Sequence, residues 1–250
     1  MGFAKHREFL PIGQRVLVCC VAASLWLVAF SPFHHDLKWC EDKAAIVESQ
    51  AKAEKLESIF DVIRHRRSVR EYDSAPVLEE DIRLILDMAH YAPTAGNVQP
   101  WRFLIIKEKE NLQRLHEALN EWWTDSVKKR NLPPEQEKEA LERGRQYIQR
   151  LMTAPVFIFI FVDTSVYPEL AMYDGCLAVE NLMLAARALG YGTVFSTTFF
   201  PEEKVRDFVQ APANLALICA TPLGRPKHWP TMPPKKDLDE LIVRERFEKQ

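Results

Sequence analysis

The chain has almost no net charge: 33 Lys and Arg oppose 35 Asp and Glu among 250 residues, a formal −2, with a sequence pI of about 6.4. It lacks the basic excess that favours nucleic acid, so no nucleic-acid partner is expected and any anion site must be local. Cysteine is scarce. Cys19 and Cys20 fall in an apolar N-terminal run, Cys40 lies just beyond it, and Cys176 and Cys219 fall in a predicted helix and a predicted strand. No CxxC or Cys/His spacing suggests a metal site, and five scattered thiols make no disulfide framework. Cys176 and Cys219 read as small buried apolar residues. Internal repeats are missing too. What the chain does have is a 47% apolar fraction, enough for a substantial core.

Residues 16–30 read VLVCCVAASLWLVAF, preceded by Lys5, Arg7 and Arg15 and extending without a formal charge to Phe33. A spanning helix wants roughly 20 apolar residues and a secretory core roughly 7 to 15, so this length falls between the two. No small-x-small cleavage site follows the run, which ends in Phe30-Ser31-Pro32-Phe33, and this favours membrane association through residues 12–33 as an uncleaved anchor. A signal peptide and a leader from a mis-assigned start are the alternatives. Residues 38–55 are charged and Ala-rich, a solvated helix or linker. The expected organisation is a leader over 1–55 and one domain over 56–250.

Within that domain, residues 58–66 put Ile59, Val62 and Ile63 on one helical face. Residues 79–92 put Ile82, Ile85, Leu86 and Ala89 at i, i+3, i+4 and i+7. Pro93 ends the second helix. A buried strand over 102–106 precedes two polar helices, 110–129 and 134–152. Residues 156–162, VFIFIFV, suit a strand buried on both faces. The helix over 169–189 is apolar nearly all round, as a central or interface helix would be. Gly190 and Gly192 close it. A strand over 193–199, a short helix over 201–209 and a last strand over 215–221 follow. Residues 222–234 hold five of the sixteen prolines and read as an extended arm. Strands mixed with longer helices, without regular alternation, predict an α+β fold with helices on a mainly antiparallel sheet.

Two clusters carry chemistry. Arg66-Arg67-Ser68-Val69-Arg70 leaves a helix for an extended segment, so Arg66 and Ser68 can converge on one phosphate, for which the guanidinium fork is suited. Pro93-Thr94-Ala95-Gly96-Asn97-Val98-Gln99-Pro100-Trp101 follows the second helix. By itself it is a Gly-Asn turn held by its own side chains. Gln99 and Trp101 read as scaffold.

Together the clusters resemble the flavin-binding front end of the nitroreductase family, and the resemblance covers about 190 residues of this chain. It implies an α+β sandwich and an intertwined homodimer with two flavin mononucleotide (FMN) molecules at its interface. It implies Arg66, Arg67 and Ser68 at the phosphate, Arg70 near flavin N1 and O2, Pro93 and Thr94 against the ring, and Asn97 hydrogen-bonded to it. The segment from Gly192 to Thr198 resembles the hydroxyl-rich strand of the iodotyrosine deiodinases, which makes Ser196 and Thr197 candidate donors to flavin N5. Lys235 matches the family's terminal phosphate-binding arginine, with a point charge in place of a fork.

The expected function is FMN-dependent transfer of electrons from NADH or NADPH to a nitroaromatic, quinone or similar small molecule by a ping-pong cycle. No catalytic side chain is expected, because the cofactor supplies the chemistry. Reductive dehalogenation and a non-catalytic, membrane-tethered flavin-binding protein are the alternatives. Basic residues ahead of the apolar run would set the domain across the membrane from the N-terminus. A cytoplasmic nicotinamide donor instead favours a cytoplasmic catalytic domain.

Overall fold

The computed structural model describes residues 58–247, so the apolar run over 12–33 and the segment after it lie outside the described residues. Helix α1 (Ile59–His65) starts at Ser58, whose Oγ accepts from the Asp61 amide at 3.2 Å and donates to its carboxylate at 2.6 Å, a side-chain cap for an otherwise orphan donor. Helix α2 (Glu79–His90) opens with three acids in its first turn, complementing the helix dipole, and stops just short of Pro93. Then come β1 (Trp101–Ile106), α3 (Lys109–Lys128), α4 (Pro134–Leu151), β2 (Val156–Asp163), α5 (Pro168–Ala188), α6 (Glu202–Val209) and β3 (Leu215–Leu223).

The strands lie in the order β1-β2-β3, both pairs antiparallel, Trp101 opposite Val162 and Val156 opposite Leu223. Single bridges widen the sheet. Gly192 pairs with Gly224 and Ser196 with Ala220, while Ser68 pairs in parallel with Thr193. The segment that begins at Arg66 is thereby laid beside the one that follows α5, though they are more than a hundred residues apart.

β2 is buried along nearly its whole length. Phe157, Phe159 and Phe161 face Leu115, Leu119, Ile148 and Val205, from α3, α4 and α6. Ile158, Ile160 and Val162 face Ile82, Ile85, Val179 and Leu182, from α2 and α5. Helices therefore cover both faces, as expected of the unbroken apolar run, and form the sandwich that the family resemblance implies. Each such side chain contributes about 1.5–3 kcal/mol of transfer free energy.

Three expectations need correction. Residues 193–199 do not form a continuous strand. After Ser196 the Thr197 carbonyl accepts from the Phe200 amide at 3.1 Å, turning the chain toward Pro201 and α6. On α1 only Val62 is buried, whereas Ile59 and Ile63 are more than half exposed. Cys176 is exposed and only Cys219 is buried, because an apolar helix has more circumference than one sheet can cover.

Candidate functional site

The segment after α1 is pinned from several sides. The Val69 amide donates to the Thr193 carbonyl at 2.9 Å, the Tyr72 amide to Thr153 Oγ1 at 2.8 Å and the Tyr72 hydroxyl to the Val69 carbonyl at 2.7 Å. Val69 is buried against Gly192, where a Cβ would come within 2.7 Å of it. Extended backbone then alternates its side chains. Ser68 and Arg70 face outward into a cavity of about 110 Å³ that Glu71, Arg150, His228 and Pro230 also line.

The carboxylate in this cavity is neutralised. Lys227 Nζ lies 2.6 Å from Glu71 Oε1, and that hydrogen bond, chiefly, holds the Glu71 carboxyl below the usual range. The remaining donors are one hydroxyl, two guanidiniums and an imidazole, a set suited to an anion. Arg70 is fixed by Nη1 donating to the Ser68 carbonyl at 3.1 Å and Nε donating to the Tyr147 hydroxyl at 3.2 Å. Arg150 and His228 escaped the sequence reading. Arg150 looks like any solvated residue of a polar helix, and His228 sits in a Pro-rich tail without periodicity.

Arg66 and Arg67 do not line this cavity. Arg66 Nε lies 3.6 Å from Glu180 Oε1 on α5. Arg67 folds back, Nη1 donating to the carbonyls of Arg64 and Arg66 at 2.6 Å each. Its buried Nε has no hydrogen-bond partner among the described residues.

The second cluster is a strained loop. Gly96, Asn97 and Gln99 have φ of 56°, 56° and 51°; glycine and asparagine tolerate the left-handed region, whereas for Gln99 it is unfavourable. Asp174, a buried carboxylate on α5, holds the loop. Its Oδ2 accepts from Thr94 Oγ1 at 2.8 Å and from the Ala95 amide at 3.1 Å, and Thr94 Oγ1 accepts from the Gln99 amide at 3.1 Å. Thr94 thus uses its hydroxyl inside the loop, leaving its methyl group and the exposed Pro93 as contact surface. Asn97 is exposed and its Oδ1 accepts from Gln99 Nε2 at 3.0 Å. Trp101 is buried, with Nε1 donating to His90 Nδ1 at 3.3 Å. The scaffold reading of Gln99 and Trp101 agrees with these bonds. Asp174 also escaped the sequence reading, since one acid on an apolar helix looks incidental.

Among the described residues no hydrogen bond or ion pair joins the two clusters. Each is tied to α5, the loop at Asp174 and Arg66 at Glu180, about 9 Å apart along the axis at 1.5 Å per residue. Ser196 is buried, with its backbone paired to Ala220, and Thr197 is exposed beside it. Lys235 is exposed in the C-terminal arm, followed by a single turn from Leu238 to Leu241.

This arrangement has known counterparts. The family model described as "Nitroreductase family" matches residues 63–225. An Archaeoglobus fulgidus protein provisionally named an NADH dehydrogenase/NAD(P)H nitroreductase is 31% identical over 178 residues, covering 69% of this chain and 87% of that one. The iodotyrosine deiodinase of Thermotoga neapolitana is 30% identical over 197 residues, covering 76% and 98%. A solved iodotyrosine deiodinase bound to FMN and 3-iodo-L-tyrosine superposes with a TM-score of 0.62 at 26% identity, covering 76% of this chain and 100% of the other. The α+β sandwich and the matched family define a class of flavoprotein oxidoreductases. The chain belongs to the nitroreductase family.

Proposed function

We propose that this protein is an FMN-dependent oxidoreductase that carries electrons from NADH or NADPH to a nitroaromatic, quinone or similar acceptor in a ping-pong cycle. The supporting observation is the cavity where Ser68, Arg70, Arg150 and His228 meet while Lys227 neutralises Glu71. A ligand with an anionic end fits that donor set. Flavin mononucleotide would supply the redox chemistry, taking two electrons from the nicotinamide and delivering them to the acceptor, with the overall balance NAD(P)H + H⁺ + quinone → NAD(P)⁺ + hydroquinone. The protein would bind and orient it. Ser68, at the cavity, would hold the phosphate together with Arg66 and Arg67, which lie beside the cavity rather than in its lining, and with Lys235 from the arm. Arg70 would set positive charge at the pyrimidine edge, and Pro93, Thr94 and Asn97 would border the ring.

The two clusters are tied to different points of α5, and apolar side chains of α1, α2 and α5 are exposed. Both features favour a homodimer in which one chain's loop completes the cradle begun by the other's arginines. Purified full-length protein should be yellow and release flavin on mild heating. It should oxidise NADH or NADPH when nitrofurazone is added, and Arg70→Ala should weaken flavin retention about tenfold or more. Colourless protein that ignores added FMN would overturn the reading.

Reductive dehalogenation is the second reading, favoured by the hydroxyls of Ser196 and Thr197 beside β3, candidate donors at flavin N5. Turnover of iodotyrosine with none of nitrofurazone would establish it in place of the first.

A further inference from the structure

A cavity of about 340 Å³ lies between α3, α4 and Phe199. Its volume falls in the range of small-molecule sites. Its walls are aromatic: Phe199 stacks on Tyr147 with centroids 4.3 Å apart and planes 17° apart, and meets Trp123 at 4.9 Å. Trp123 is fixed, because Nε1 donates to the Ala140 carbonyl at 3.1 Å and the indole lies where a Cβ on Gly144 would stand. The charged residues of the lining are all arginines, namely Arg130, Arg143 and Arg150. Arg130 covers the Trp123 ring at 5.1 Å. Glu139 reaches Arg143 Nε only at 3.9 Å, with both groups largely exposed, a pairing that contributes little. Glu142 is engaged by Gln146 at 2.7 Å. An aromatic cavity whose lining carries three guanidiniums and no carboxylate suits one chemistry.

We infer that this cavity is the acceptor site and that it selects planar aromatic anions, with the ring against Trp123, Tyr147 and Phe199 and the anionic group on Arg130 and Arg143. The inference rests on the flavin reading for its redox meaning, because two residues join this cavity to the proposed cofactor site. Arg150 lines both, and Tyr147 accepts the hydrogen bond from Arg70. An acceptor held here would sit beside the residue assigned to the flavin edge.

Equilibrium dialysis of the full-length protein against 4-nitrobenzoate and against the neutral isostere 4-nitrobenzamide tests the inference without requiring turnover. The acid should bind about tenfold more tightly than the amide, as expected of charge-assisted contacts. The Arg130→Gln/Arg143→Gln double variant should lose that preference while amide binding stays within about twofold, which also shows that the cavity is intact. Phe199→Leu should weaken both ligands. Equal affinity for acid and amide, no binding of either, or an undiminished preference in the double variant would each overturn it. Yellow protein that fails this test leaves the flavin reading standing, and colourless protein that passes it does the reverse.

Discussion

Tyr191 shows how one side chain ties the fold to pH. It is 1% exposed, its hydroxyl donates to Asp81 Oδ2 at 2.7 Å, and the Arg225 guanidinium lies 4.1 Å above its ring. Burial, reinforced by the Asp81 bond, pushes the phenol up to about 12. The folded protein therefore holds this proton more tightly than the unfolded chain, where tyrosine titrates near about 10. The stabilisation is complete below about pH 10 and is lost as pH rises through about 12. Urea midpoints measured across this window should fall more steeply for wild type than for Tyr191→Phe, and parallel curves would refute the assignment. Thr94 and Asp174 give the residue-scale lesson for the site. Thr94, expected against the flavin ring, gives its hydroxyl to a buried carboxylate 80 positions away, and only the folded arrangement reveals that partner.

At the scale of elements, the site depends on the contact between the Arg66–Arg70 segment and the chain leaving α5. An added Cβ at Gly192 would lie 2.7–2.8 Å from Cβ and both γ-carbons of Val69, and Val69 cannot retreat because its amide is bonded to Thr193 and its carbonyl to Tyr72. Gly192→Ala should cost about 1–3 kcal/mol in urea denaturation and should loosen flavin by displacing Ser68 and Arg70. Adding Val69→Ala should recover much of both, and a single variant with wild-type stability and flavin content would refute the contact. Helices and core strands were legible in the sequence because period and burial are local properties, and VFIFIFV announced a strand covered on both faces. The segment after Gly192 was not legible as a turn. Its β-branched and aromatic residues favour a strand, but Ser196 pairs once with Ala220 and tertiary context takes over. Arg150 and His228 were invisible for the same reason, since no spacing links a helix end, a proline-rich tail and Ser68.

For the whole molecule, the decisive feature is apolar surface that one chain leaves uncovered. Phe60 is 66% exposed, Tyr91 74% and Tyr173 68%, with Ile59, Ile63 and Leu177 also exposed on α1 and α5. Helices α1 and α2 both pack on α5, so these side chains belong to one helical layer. Single exposed apolar residues need no explanation, but a set this size on one layer is the kind of surface that protein interfaces use, in keeping with the proposed homodimer. The sequence hinted at it, since residues 169–189 are apolar beyond what one sheet can bury, though it did not say which residues would face outward. If a second copy covers this layer, Tyr173→Arg/Leu177→Arg should leave the core intact, because both residues point away from it. The same change should convert a dimer into a monomer in sedimentation velocity. Flavin should leave with the partner, since the Pro93–Asn97 loop and the Arg66–Arg70 segment of one chain are not bonded to each other. A variant that sediments as a monomer yet keeps its flavin would show that one chain suffices for the cradle. A dimer unchanged by the two arginines would move the interface to another face.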